Sequence, residues 1–168
     1  MAISFYSASV PVFSKFLGNL ILILDKLGSQ AQAKNQDPSV YLDSRLYPDM
    51  FALSKQLHRV ADIAAGGIAR IAGVDVPEFG SDAAALSDHI VRIRRAIDFL
   101  TTIKPEQIDG AEERIVSYPR RDQTISVQAE RYFLNNVQPN FWFHLTTAYA
   151  ILRHNGVDIG KQDFVGRS

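Results

Sequence analysis

Apolar residues recur at intervals of three and four along four separate stretches of this chain, a period that fits helices of several turns and not strands. In the first stretch Phe13, Phe16, Leu17, Leu20, Leu24 and Leu27 paint one stripe on a helix from about Ser4 to the Ala31 region. Pro11 either kinks that helix or marks its true first turn. The second begins near "YPDMF", with Asp49 as the expected cap, and carries Leu53, Leu57, Ala61, Ala64, Ile68 and Ile71 before Gly73 ends it. Gly66 and Gly67 inside it lower helix propensity, so their expected use is the close approach of a neighbouring helix. The third starts at "GSDAA", with Ser81 or Asp82 as cap, and places Leu86, Ile90, Ile93, Ile97 and Leu100 on one face and Asp88, Arg92 and Arg95 on the other. The fourth runs from about Ala129 through "PNFWFHLTTAYAILRHNG" and stops at Asn155-Gly156, a left-handed cap signal. Nearly every position from Phe141 to Leu152 is apolar or small, so this helix is expected to be buried on most sides.

Four helices of roughly 20 residues, each about 30 Å long, predict an all-α fold: a four-helix bundle. Between the third and fourth, Ile115 to Tyr118 and Thr124 to Val127 are short β-prone runs around a polar turn, which predicts a small hairpin or irregular segment before the last helix. In the earlier linker, Asp37-Pro38 reads as a cap followed by proline at the first position of a short helix. There are no internal repeats and no linker long enough to separate domains, so residues 1–168 are expected to form a single domain.

Eighteen basic residues balance eighteen acidic ones, which removes the electrostatic footprint of a general nucleic-acid or anionic-membrane binder. The absence of cysteine excludes disulfides, thiolate metal ligands and a cysteine nucleophile, and is compatible with a reducing cytoplasm, the expected location. The most apolar run, Phe16 to Leu24, is far shorter than the ~20 residues that span a bilayer, and lacks the flanks of a secretory signal.

No P-loop, GxGxxG after a strand, GxSxG elbow or HExxH is present. Chemistry then falls to four histidines, at 58, 89, 144 and 154. His154 follows His144 by ten residues, about 80° around and about 15 Å along a helix, too far to share one ion. It reads as a cation at the helix end, and His89, beside the charged face of the third helix, as solvent-facing. His58, next to the core position Leu57, and His144, in the most apolar helix, can both point into the bundle. There they are either hydrogen-bonded core histidines or ligands from facing helices. Asn140 precedes His144 by one turn and shares its face, but an amide is a poor zinc ligand beside histidine or carboxylate. Of the aromatics, Phe141 and Phe143 are expected in the core, with Phe141 also a candidate wall of a ligand pocket, while Trp142 faces another helix or a partner. The charge runs "RIRR" at 92–95 and "RR" at 120–121 read as solvated faces, and Glu112-Glu113-Arg114 as a surface loop.

The start "SFYSASVPVFSKFLGNL", the segment "YPDMFALSKQLH", the phrase "PNFWFHLTTAYAILRHNGVDIGK" and the later "DF" resemble an uncharacterised bacterial family, a domain of unknown function placed in the DinB/YfiT-like superfamily. The resemblance covers nearly the whole chain. It implies a four-helix bundle, often dimeric, in which superfamily members commonly hold a divalent metal through one histidine on the second helix and two at HxxxH spacing on the fourth. His58 and His144 match the first and last of these, and Asn140 stands at the middle position. A catalytic zinc site takes three protein ligands and one water, so two histidines and an amide make a degenerate site.

Two functions follow as expectations. In the first, the bundle binds a small ligand or a partner through His58, Asn140, His144 and Phe141, the metal site having decayed. In the second, it is a divalent-metal-dependent enzyme, a hydrolase or thiol-dependent transferase, with His58, His144 and Asn140 around zinc or nickel. A homodimer through Ile21 and Ile23, beside the main stripe of the first helix, is also expected, with neither nucleic acid nor membrane as partner.

Overall fold

The computed structural model describes residues 3–80 and 84–166. They are mostly helical, with one small two-stranded antiparallel sheet. Helix α1 spans Val10–Ala33, α2 Leu53–Ala72, α3 Leu86–Thr102 and α4 Gln138–His154, so each of the four expected stretches is a helix. Strands β1 (Ile115–Arg120) and β2 (Gln123–Gln128) form the expected hairpin, in register from Ile115 opposite Gln128 to Arg120 opposite Gln123. A short helix α5, Lys161–Val165, follows α4 and lies on α1, where Lys26 pairs with Asp163 at 2.7 Å and the Asn19 amide donates to the Phe164 carbonyl. No helix among the described residues is long and apolar enough to cross a membrane.

The helix ends follow local chemistry. Pro11 sits in the first turn of α1, where its missing N–H costs nothing, so it marks the start of that helix. Gly73 and Gly156, with φ of +73° and +82°, adopt the left-handed conformation that stops α2 and α4. Asp37 accepts from the Ser39 amide at 2.9 Å and opens the predicted short helix, a 3₁₀ turn over Pro38–Tyr41. Asp49 does not cap α2. Its leading amides instead donate to backbone, Leu53 to the Ser44 carbonyl and Ser54 to that of Leu42, because the preceding loop folds back over the helix end. The Ser81 and Asp82 caps expected for α3 lie outside the described residues; there Asp88 reaches back to the amides of Ala84 and Ala85.

The last long helix has an interruption that periodicity does not reveal. From Ala129 the chain is helical throughout, but Phe133–Val137 is a π-helical stretch set before α4. Pro139 has no N–H to give to the carbonyl one turn back, and the wider turn absorbs that mismatch. The Asn140 side chain donates to the Asn136 carbonyl at 2.7 Å, satisfying an acceptor in the disturbed turn. This stretch presses Val137 onto α2 at Gly67, where a Cβ would stand 2.6 Å from a Val137 methyl. The expected use of that glycine pair is therefore met at Gly67.

Two faces are rotated from their expected positions. On α3 the buried set is Leu86, His89, Ile93, Ala96 and Leu100, whereas Ile90 and Ile97 are only half-buried. On α4 the core stripe is Phe141, Leu145, Ala148 and Leu152. Phe143 lies 200° from Phe141 and is 55% exposed, so its expected place in the core is wrong. Trp142 meets Phe16 of α1 edge-on at 4.7 Å, a neighbouring helix as expected. Ile21 and Ile23 are both buried within the chain itself, which leaves Leu22 as the exposed residue of that trio.

Candidate functional site

Two polar regions interrupt the apolar interior, and both lie along α2. Near its start Gln56 is buried and its Oε1 sits 2.6 Å from His144 Nδ1 on α4. Because an amide oxygen only accepts, this contact assigns the proton to Nδ1 and leaves the lone pair on Nε2. Phe51 stacks on the same imidazole at 6.3 Å. Burial, reinforced by the Arg59 guanidinium, pushes the His144 pKa down to about 4, so the ring is neutral at pH 7.

Two residues further along α2, His58 meets His89 of α3, with ring centroids 5.0 Å apart. His89 is fully buried, which corrects its expected solvent-facing position. It belongs to the core stripe at 86, 89, 93, 96 and 100, which is hidden when only apolar residues are counted. Arg92, assigned from sequence to the charged face, is also buried; it pairs with Asp62 of α2 at 2.8 Å and donates to the Gly80 carbonyl. Burial, followed by the charges of His58 and Arg92 against that of Asp88, lowers the His89 pKa to about 4; burial and Arg92 lower that of His58 as well. His58 Nε2, both His89 nitrogens and Arg92 Nε are buried with no hydrogen-bond partner among the described residues.

Beside this cluster opens a cavity of about 620 Å³, within the range of small-molecule sites. Its walls come from α2 (Arg59, Asp62, Ile63, Gly67, Arg70), the stretch after α2 (Val76 to Gly80), α3 (Arg92), the hairpin (Tyr118 to Arg120) and the helical run into α4 (Tyr132, Asn136, Val137, Asn140). Tyr118 packs on Tyr132 at 4.6 Å and fastens the hairpin over the opening. The hairpin thus belongs to the site. Arg114 also has a fixed role: from the expected surface loop it donates to the Ile71 carbonyl in the last turn of α2, where a cation suits the helix end.

The expected residues are therefore divided. Asn140 lines the cavity. His144 is tied to Gln56, and His58 is beside His89, with no hydrogen bond or ring contact joining His58 to His144. Phe141 is wholly buried against Phe13, with centroids 4.3 Å apart, and is not among the cavity-lining residues. His154 is exposed at the end of α4, as expected. Among the described residues no three His, Cys, Asp or Glu side chains are grouped closely enough to share an ion. With an amide at position 140 and two arginines acting on the histidines, this donor set does not fit a three-ligand catalytic zinc site.

Residues 5–165 match the model of a family described as a domain of unknown function, DUF1993, and the chain belongs to that family. Its fold is similar to a crystal structure of a DinB family member protein from Shewanella denitrificans, at 34% identity and a TM-score of 0.90, over 97% of this chain and 92% of that one. None of the curated proteins matches the chain. The resemblance to an uncharacterised DinB-like family is thereby established.

Arg59, Asp62, His89 and Arg92 were missed as site residues. The available signal was the i, i+4 spacing from His58 to Asp62, one face of α2, and the heptad-like position of His89 among the buried residues of α3.

Proposed function

We propose that this protein is a helical bundle of four long helices that binds a small molecule in the cavity between α2, α3, the hairpin and α4. The supporting observation is the cavity itself: about 620 Å³, walled by five segments and fastened by the Tyr118–Tyr132 contact. Asn140 contributes to its wall, and one turn along α4 His144 is oriented by Gln56 and kept neutral by burial and the nearby Arg59 charge. His58 supports the floor with His89 rather than acting as a metal ligand, and Phe141 anchors α4 to α1 behind it.

A thermal-shift screen of the tag-free full-length chain against a mixed metabolite library tests this reading. Ligands that raise Tm are expected to lose their effect in Asn136→Trp, which fills the cavity from a lining position. Hits that survive that substitution would place binding elsewhere. Stoichiometric zinc or nickel in the tag-free protein, with hydrolase or thiol-transferase turnover abolished by His58→Ala, would instead establish the metal-dependent enzyme. The homodimer stays within the proposal without support from Ile21 and Ile23, which are internal. Light scattering at micromolar concentration decides it.

A further inference from the structure

The cavity's charges are unbalanced in a chain whose net charge is zero. Among the described residues four arginines line it, Arg59, Arg70, Arg92 and Arg120, against two carboxylates, Asp62 and Glu78. The one ion pair among these six is Arg92 with Asp62. Arg70 donates to the Gly66 carbonyl at 2.9 Å, a neutral partner that leaves its charge uncompensated. No side-chain hydrogen bond or ion pair joins Arg59 or Arg120 to any described residue. Clustered like charges in a partly enclosed space repel one another, and the low-dielectric walls make that repulsion larger than on an open surface. Structural arginines are normally matched by carboxylates. Here the excess is gathered from three separate segments, α2, α3 and β1, into one concavity.

The buried Arg92 Nε adds an independent observation. Arg92 is about nine-tenths buried and lines the cavity, yet this N–H has no hydrogen-bond partner among the described residues. A buried unpartnered donor on a charged group is costly, and an acceptor supplied by a ligand or its waters relieves it. Much of the remaining wall is apolar or aromatic, from Tyr118, Tyr132, Phe79, Ile63 and Val76, with the amides of Asn136 and Asn140 beside it.

Resting on the reading of this cavity as a ligand site, we propose that its ligand is a small organic anion, a carboxylate or phosphate monoester with a flat apolar body. Arg59 and Arg120 grip the oxyanion, since a guanidinium presents paired donors that match two oxygens of either group. The rings of Tyr118 and Tyr132 contact the apolar body. The excess positive charge also disfavours a bare divalent cation, which agrees with the absence of an adequate donor set at His58, Asn140 and His144.

The test is a titration of the full-length protein, followed by backbone amide NMR, with one ring carried on different charges: benzoate and phenyl phosphate as anions, benzamide as the neutral form and benzylamine as the cation. The anions are expected to shift the signals of Tyr118, Tyr132 and Asn140, to bind roughly tenfold more tightly than benzamide or benzylamine, and to weaken as salt is raised. Arg59→Gln and Arg120→Gln should each lower anion affinity roughly tenfold; Arg120 is exposed on the hairpin, so its variant keeps the fold intact. Which of benzoate and phenyl phosphate binds better identifies the oxyanion. If benzamide or benzylamine shifts the same residues as tightly as the anions, or if neither arginine variant changes anion binding, the anion assignment falls while the cavity stays a ligand site. If no member of the series shifts any cavity residue at millimolar concentration, both fall.

Discussion

The seam between α1 and α4 and the seam between α2 and α3 are built on opposite terms. In the first, Phe13 packs with a tilted ring on Phe141 at 4.3 Å, Phe16 meets Trp142 at 4.7 Å, and the segments leading into the two helices add Phe133, 5.9 Å from Phe13 and 5.1 Å from Phe5. Every contact there is apolar and gains from burial. In the second, the same kind of helix packing encloses two imidazoles and a guanidinium, four of whose nitrogens lack hydrogen-bond partners among the described residues. Leucine at those positions would pack at no polar cost. A fold that needed only a core could have used the first solution twice, and the difference locates the region of the molecule shaped by something other than stability.

Substitutions can break that contrast. The largest effect is expected in the aromatic seam: Phe13→Ala should cost about 3–5 kcal/mol, since it removes a fully buried ring and leaves a cavity between α1 and α4. Chemical denaturation measures it, and a loss under 1 kcal/mol would mean the seam does not carry the fold. The polar seam should respond to pH instead. His89 and His144 have folded pKa values near 4, below the unfolded value of about 6.5, so the unfolded chain takes up protons first as pH falls. Stability is then full above pH ~6.5 and declines down to pH ~4, by roughly 2–3 kcal/mol for each ring. His89→Leu should change stability by less than about 1 kcal/mol at pH 7 and flatten this acid decline. An unchanged slope would show that His89 is not a buried neutral base.

Next in size is Gly67→Ala, whose Cβ meets the Val137 methyls at 2.6 and 2.9 Å and should cost about 1–3 kcal/mol. Val137→Ala in the same chain should recover some of that loss, and additivity of the two substitutions would refute the contact. A smaller loss than that of Gly67→Ala is expected for Gln56→Leu, which leaves His144 Nδ1–H without its acceptor and should cost about 1–2 kcal/mol. Nitrogen-15 shifts of the imidazole report the tautomer directly; loss of the Nδ1–H form in the variant is the expected result.

The long helices were legible because each buries one stripe, and stripes of leucine, isoleucine and phenylalanine are visible without any partner. The hairpin, the Asp37 cap and the stops at Gly73 and Gly156 were legible because a few adjacent residues determine them. The candidate site was less so. Counting only apolar residues rotated α3 and hid His89 and Arg92, and placing both Phe141 and Phe143 in the core overlooked that Phe143 falls opposite Phe141. Asn140 was picked out for its place one turn before His144, yet its amide serves the turn disturbed by Pro139, and it reaches the cavity as wall.

By itself the sequence determined the number of the long helices, the stops of α2 and α4 and the hairpin, since these depend on period and turn residues within a few positions of one another. It also excluded thiolate chemistry outright, because there is no cysteine. Only the tertiary structure decided which histidines meet. Rotation about each helix axis sets whether a side chain faces a neighbour or water, and that rotation is chosen by packing across helices distant in sequence. So His58 found His89 instead of His144, Gln56 took His144, and four arginines scattered between positions 59 and 120 came together around one cavity.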